Sequence, residues 1–405
     1  MFETLLVFDS MSDAKETQTS NGRLIDPVDQ YQNFFQSNSL GVAAREEGYK
    51  YSHLLPTFPT VDWGVAPYYD NISDAGLRVP KETGWRNGSL SKRPGIKFVE
   101  LTPVIGTEIH GLDLRTLTSE EKDEIALLAA ERGVIAFRGQ PKEFSLQDQT
   151  ELVKHFGPLH IHGSSGTPED PSLAHVHVVY KDAGKRAPPG GFSKVELWHT
   201  DVSYEVQTPG ITSFQVITNP PSGGDTLFAS AYSLYDALSP GMRTFVEGLS
   251  AMHSGLAQGN KEQLRHQRRP GIETIHPVVR VHPVTGWKSL YVDPASTRYI
   301  VGLPKGESEM LLNYLWGLTA MAVDCHVRVK YDEDTVVLWD NRTVVHAATF
   351  DFWPYRRHAV RVMSIAERPA SVEDAKKQWG IEAKSREDDI VESQGWKDLV
   401  AKLQA

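Results

Sequence analysis

His199 and Asp201 stand two residues apart in Trp198-His199-Thr200-Asp201, and a further histidine, His346, lies far downstream. On an extended strand that spacing points both side chains to one face. A neutral imidazole and a carboxylate converging there make two-thirds of a metal site. Adding His346 gives two histidines and one carboxylate. That set leaves three coordination positions open and suits non-haem Fe(II) oxygen chemistry. The chain has 15 histidines, so chance pairing must be weighed, and a lone His-x-Asp is more often structural than a ligand pair. Three neighbours raise it here. Trp198 and the β-prone Val202-Ser203-Tyr204 bound the pair. His346 lies just beyond the apolar run Val336-Val337-Leu338-Trp339. A basic cluster, Tyr355-Arg356-Arg357-His358-Ala359-Val360-Arg361, comes soon after.

Arg357 and Arg361 are four apart, an even spacing, so on a strand they share one face. Two arginines aimed into a core are costly unless they meet anions. One reading is a pair of structural ion pairs with the chain's own acids. The other is capture of ligand carboxylates by the guanidinium fork. Alone the two readings balance; beside a two-His-one-carboxylate set, ligand capture is favoured.

The elements that must position these groups begin near Ile96. Short strands joined by Gly turns lead through Gly106-Thr107-Glu108-Ile109-His110-Gly111. Thr118 with Glu121 is a capping box that predicts a helix, with Ile125, Leu128 and Ala129 on one face and Gly133 as its stop. Val134–Phe137 reads as a buried strand, and a second helix is expected over 145–156. Downstream, strands are expected at 211–217, 226–229, 276–283, 288–292, 325–331, 335–339 and 358–365, with helices near 230–238 and 307–318. Many short strands with turn signals suggest a mainly β fold, a double-sheet jelly roll or barrel, with packed helices. Residues 1–93 read as a partly extended N-terminal arm, 94–369 as the catalytic domain, and 370–405 as a charged tail with helical stretches.

Composition sets bounds on function. Of 405 residues, 40% are hydrophobic and 23% charged, ordinary for a globular protein. A net charge of -10 and a pI near 5.8 argue against nonspecific nucleic-acid or anionic-membrane partners. The single cysteine, Cys325, excludes an intrachain disulfide and a multi-cysteine zinc site. No apolar run is long enough to span a membrane and no signal peptide is recognised, so a cytoplasmic enzyme is expected.

Taken together, these residues resemble the taurine dioxygenase (TauD/TfdA) family of Fe(II)- and 2-oxoglutarate-dependent oxygenases, and especially its fungal alkylsulfonate-dioxygenase-like members. The resemblance covers roughly 95–368. It rests on Gly157-Pro158-Leu159-His160-Ile161-His162, Trp198 to Tyr204, Gly223-Gly224-Asp225-Thr226-Leu227, His276-Pro277-Val278-Val279-Arg280, Trp339-Asp340-Asn341-Arg342, and Arg357 to Arg361. It implies a double-stranded β-helix, the jelly roll, with Fe(II) held by His199, Asp201 and His346. Thr226 and Arg357 would bind the distal carboxylate of 2-oxoglutarate, O2 would be the second cosubstrate, and His162 and Arg361 would meet a substrate sulfonate. A small-molecule substrate and a homo-oligomer are expected.

Departures from the family bear on the substrate. Val195 stands where taurine enzymes carry Asn before the His-x-Asp pair. Val292-Asp293-Pro294-Ala295-Ser296 replaces a strand ending in Val-Asn and a pocket Phe, and Cys325 replaces another pocket aromatic. Asp293 is expected to offer an anion to a substrate ammonium while Arg361 takes the acid group, which would favour a small amino acid or aminosulfonate. Thr343 and Val345 are expected to shape the pocket. His160, His175, His177, His276, His282, His326 and His358 are read as core or surface residues. The expected reaction oxidises a C–H bond with release of succinate and CO2: sulfonate oxygenation, or amino-acid hydroxylation, desaturation or aziridine formation. The rivals are a non-catalytic jelly-roll binding protein and a zinc hydrolase with the same ligands.

Overall fold

A computed structural model describes residues 41–183, 195, 197–256, 268–396 and 402. Its strands are β1 (Lys97–Glu100), β2 (Thr107–His110), β3 (Val134–Arg138), β4 (His177–Lys181), β5 (Pro209–Thr218), β6 (Thr226–Ser230), β7 (Ser250–Ser254) and β8 (Glu273–Pro277), followed by β9 (Val279–Val281), β10 (Lys288–Leu290), β11 (Thr297–Ile300), β12 (His326–Val329), β13 (Val336–Asp340), β14 (Val344–Ala348) and β15 (Arg357–Ile365). Seven of them form a mixed sheet in the order β1-β2-β3-β13-β5-β15-β4, and β12-β6-β14 form a second sheet. Strands β2 and β3 run parallel. The fold is the expected jelly roll with helices packed outside.

Side-chain alternation separates the two faces of the large sheet. Ile211, Val336 and Leu338 pack outward with Ile125, Leu128 and Leu152 of two helices, Ser119–Arg132 and Leu146–Lys154. Phe214, Val216, Val337, Trp339 and Ala359 point inward and meet Phe228 and Val344 of the second sheet. Each fully buried side chain of this kind contributes roughly 1.5–3 kcal/mol. The helix expected from the Thr118–Glu121 box is present. Thr118 Oγ1 accepts the Glu121 N–H at 3.2 Å, and Glu121 Oε2 accepts the Thr118 N–H at 2.8 Å. Gly133 closes it at φ 74, and a Cβ there would come within 2.7 Å of Val344.

The turn from β13 to β14 carries an ion-pair network. Arg342 donates to both Asp340 carboxylate oxygens, at 2.8 and 2.6 Å, and pairs with Asp74 at 2.5 Å and Glu367 at 3.0 Å. His282 Nε2 lies 3.0 Å from Asp340. Burial raises the Asp340 carboxyl, but Arg342 and His282 outweigh it and hold it well below the carboxylate range. Losing one partner of such a network costs about 3–5 kcal/mol. The Trp339–Arg342 segment singled out in the sequence therefore anchors the turn that delivers His346.

Residues 1–40 of the expected arm lie outside the described residues. Over 41–93 the chain makes a helix, Val42–Glu46, and several 3-10 turns. A bridge from Thr57 to Thr167 carries Pro56 and Phe58 to the central cavity. In the tail, helices Val372–Trp379 and Arg386–Ser393 pack on the body through Ala375 beside Val281 and through Trp287 Nε1 donating to Asp389 at 2.9 Å. Among the described residues no helix is long and apolar enough to cross a membrane.

Candidate active site

His199 and His346 face each other across an isolated antiparallel bridge in which each backbone N–H donates to the other's carbonyl at 2.9 Å. Their Nε2 atoms each lie 3.7 Å from Asp201 Oδ1. The three ligand atoms fall within 4.8 Å of one another, the spread a single ion could bridge. His199 Nδ1 is 3.0 Å from the Leu197 carbonyl, so Nδ1 carries the proton and Nε2 offers its lone pair. Burial pushes His346 down to about 3, which keeps it neutral. Burial would raise Asp201, but the Arg361 guanidinium outweighs it and holds its carboxyl at about 2. Asp201 Oδ2 is buried without a hydrogen-bond partner. Two imidazole lone pairs, a carboxylate and an unsatisfied buried oxygen are what a divalent cation of the iron series needs.

The chain turns sharply after Asp201. Val202 takes φ 41, the left-handed region that a β-branched residue rarely adopts. Ser203 locks the turn. Its Oγ donates to Asp293 Oδ2 at 2.8 Å and lies 3.0 Å from His253 Nδ1, all in full burial. Asp293 Oδ1 accepts the Ser296 N–H at 2.8 Å.

A cavity of ≈ 280 Å³ opens between the two sheets, lined by the triad, His162, Thr226, Arg357 and Arg361. At one end Arg357 is buried. Its Nε donates to the Gly224 carbonyl at 3.1 Å, and Nη2 has no partner. Phe214 and Tyr331 flank its guanidinium at 5.3 and 5.5 Å. Burial lowers its pKa. Gly224 sits at φ 75, and a Cβ there would lie 2.9 Å from Arg357 Nε, so glycine is required for this approach. The Tyr331 hydroxyl donates to Thr226 Oγ1 at 2.8 Å, which leaves the Thr226 proton free to donate elsewhere. An unpartnered guanidinium nitrogen beside a free hydroxyl donor fits a carboxylate. At the other end Arg361 Nη1 donates to Asp201 Oδ1 at 2.5 Å, and His162 Nδ1 accepts the N–H groups of Ser164 and Ser165.

Five expected wall residues, Val195, Asp293, Cys325, Thr343 and Val345, lie elsewhere. Val345 and Ala347 pack away from the cavity, into the cluster with Leu234 and Leu312, because alternation on β14 sends His346 and Ala348 inward. Thr343 is buried in the preceding turn, bonded to the Asp340 carbonyl at 3.2 Å. Asp293 is 1% exposed and spends both carboxylate oxygens on Ser203 and Ser296, so it offers no anion to a substrate. Val195 takes part in a turn through its carbonyl, and Leu197 lines the cavity in its place. Cys325 is buried in the same outer cluster as Val345, whereas Ser296 does line the cavity. Local pattern did not mark strands β4, β7, β11 or β14, of which β14 carries His346 and β4 puts His177 and Lys181 on the wall, nor did it mark the wall aromatics Phe58, Tyr204 and Phe352. Even spacing from His346 would have found Ala348.

Comparison with known proteins agrees with this geometry. The Taurine catabolism dioxygenase TauD, TfdA family model matches residues 97–363. An α-ketoglutarate-dependent sulfonate dioxygenase of Saccharomyces cerevisiae is 40% identical over 340 residues, covering 81% of this chain and 80% of that protein. The α-ketoglutarate-dependent dioxygenase cnsP of Penicillium expansum is 38% identical over 369 residues, covering 86% of this chain and 93% of that protein. The crystal structure of a taurine dioxygenase from Burkholderia xenovorans superposes with a TM-score of 0.58 at 30% identity, covering 69% of this chain and 94% of that one. With a family match over most of the chain and a two-His-one-carboxylate cluster at the cavity, this chain belongs to the TauD/TfdA family of Fe(II)- and 2-oxoglutarate-dependent dioxygenases.

Proposed function

We propose that His199, Asp201 and His346 hold Fe(II), that Arg357 and Thr226 bind the distal carboxylate of 2-oxoglutarate, and that His162 and Arg361 receive the acid group of a small sulfonate whose C–H bond is oxidised. The observation that carries the reading is the buried donor set, two imidazole nitrogens each 3.7 Å from an Asp201 carboxylate oxygen, at a cavity with a cationic group at each end. Bound there, Fe(II) with 2-oxoglutarate and O2 supplies the oxidising power, and succinate and CO2 are released. The protein's own part is placement. Arg357, held by the Gly224 carbonyl and aromatic flanks, fixes one end of the cosubstrate. Arg361 fixes the acid end of the substrate, so the C–H bond to be cleaved is set by chain length from that anchor. The apolar walls exclude water from the reacting groups.

A sulfonate is favoured by the budding-yeast relative, itself a sulfonate dioxygenase. An amino-acid substrate would need a counter-ion for its ammonium, and Asp293 is already satisfied. The reading includes a cytoplasmic location and self-association, which the lone cysteine and the family resemblance support. The test is a succinate-release screen across alkylsulfonates, sulfate esters and small amino acids, with sulfite as second readout. Release should require both Fe(II) and 2-oxoglutarate and should peak on a sulfonate. His199→Ala and His346→Ala should each abolish it, and turnover surviving either change would overturn the metal assignment.

A further inference from the structure

Strand β4 brings a second basic side chain beside each cavity arginine. It pairs antiparallel with β15, with His177 opposite Arg361 and Lys181 opposite Arg357. Directly opposed residues of such a pair project from the same face. Val179 packs against the core between the sheets, while Val178 and Tyr180 pack on the outside. His177 and Lys181 therefore face inward, and both line the cavity.

Contacts at the Arg361 end fix the hydrogen-bond roles. Arg361 Nη2 lies 2.5 Å from His177 Nδ1. A guanidinium can only donate, so Nδ1 accepts and the neutral ring carries its proton on Nε2. His162 Nδ1 is taken by two backbone N–H groups, so its proton is on Nε2 as well. The two rings meet edge-on with centroids 5.1 Å apart. Arg361 Nε is buried without a partner. This end of the cavity thus presents one guanidinium and two imidazole N–H donors. Among the described lining residues the sole carboxylate is Asp201, assigned above to the metal.

We propose that His177 is a substrate-selecting residue that completes, with His162 and Arg361, a three-donor pocket for an oxyanion with three terminal oxygens, a sulfonate or sulfate ester. The proposal rests on the function proposed above. A carboxylate of equal chain length has two oxygens and leaves one buried donor unmatched, which penalises it. A zwitterion brings an ammonium group that finds no free anion. His177 also holds the guanidinium edge-on, so its removal loosens Arg361.

The test uses two probes with the same four-carbon tail, 1-butanesulfonate and pentanoate. Their binding to the Mn(II)- and 2-oxoglutarate-loaded protein is measured by calorimetry, without turnover. The wild type should prefer the sulfonate by about 10- to 100-fold. His177→Phe, which keeps a ring but neither donor nor acceptor, should lose most of that preference while its 2-oxoglutarate affinity stays within about twofold. His177→Gln, which keeps both an acceptor and a donor, should restore most of it and guards against a folding defect in the Phe variant. A wild type that binds neither probe or prefers pentanoate, or a Phe variant with unchanged preference, overturns the proposal. Absence of Fe(II)-dependent succinate release in the screen above would instead sink the function on which it rests.

Discussion

Replacing Arg357 with methionine separates cosubstrate binding from folding. Arg357 is 5% exposed, and among the described residues no ion pair neutralises it. Its Nη2 is unpartnered, and its Nε has a 3.1 Å bond to the Gly224 carbonyl. A bound carboxylate would gain two charge-assisted hydrogen bonds of about 1.5–3 kcal/mol each. Losing about 3–6 kcal/mol weakens 2-oxoglutarate binding by about 10²- to 10⁴-fold. The unliganded fold responds differently. Methionine removes a buried charge whose desolvation costs several kcal/mol. Against that it loses the Gly224 bond and the flanking contacts with Phe214 and Tyr331, about 0.5–2 kcal/mol each. These terms offset to within about 2 kcal/mol, so Tm without ligand should move by less than about 6 °C. Calorimetric titration of the Mn(II)-loaded variant with 2-oxoglutarate, beside a thermal melt, reads both quantities. A dissociation constant within tenfold of wild type would refute the assignment of this end of the cavity.

Three further outcomes are expected. Burial holds His276 and His358 at about 4, whereas the unfolded chain titrates them near 6.5. Below pH 6.5 the unfolded state binds the extra protons, so this stability is complete above pH 6.5 and is lost as pH falls towards 4, about 3 kcal/mol per ring. Urea midpoints of metal-free protein should drop between pH 7.5 and 5.0, and an unchanged midpoint contradicts the burial argument. Gly224→Ala places a Cβ 2.9 Å from Arg357 Nε at φ 75 and should cost about 1–2 kcal/mol of stability. It should weaken 2-oxoglutarate more than metal, and equal losses of both would show that the turn does not act through Arg357. Val345→Ala should destabilise by about 2 kcal/mol with substrate KM unchanged, since the side chain packs in the outer cluster. A shifted KM at unchanged stability would put Val345 on the cavity wall.

Local pattern was enough for the groups closest to the chemistry. The four-residue spacing of Arg357 and Arg361 puts both side chains on one face of β15; His199 and Asp201 line the same cavity, but from an isolated bridge to His346 and the turn that follows it rather than from a strand. The Thr118 capping box and the Gly133 stop bounded a helix because capping is decided within a turn of chain. Most of the core strands were legible for the same reason. Strands β4, β7, β11 and β14 were not; in β4, His177-Val178-Val179-Tyr180-Lys181 carries polar residues at both inward ends, and only a cavity makes that favourable.

The sequence alone therefore determined the reaction class: a His-x-Asp pair, a distant histidine and two arginines on one strand face are local or few-residue signals. Which other residues meet the ligands was decided by the fold. The inward parity of β14 rejected Val345, the bonds from Ser203 and Ser296 consumed Asp293, and the pairing of β4 with β15 set His177 beside Arg361. Those choices depend on register and on partners distant in sequence, and a one-residue change of register would reverse every face.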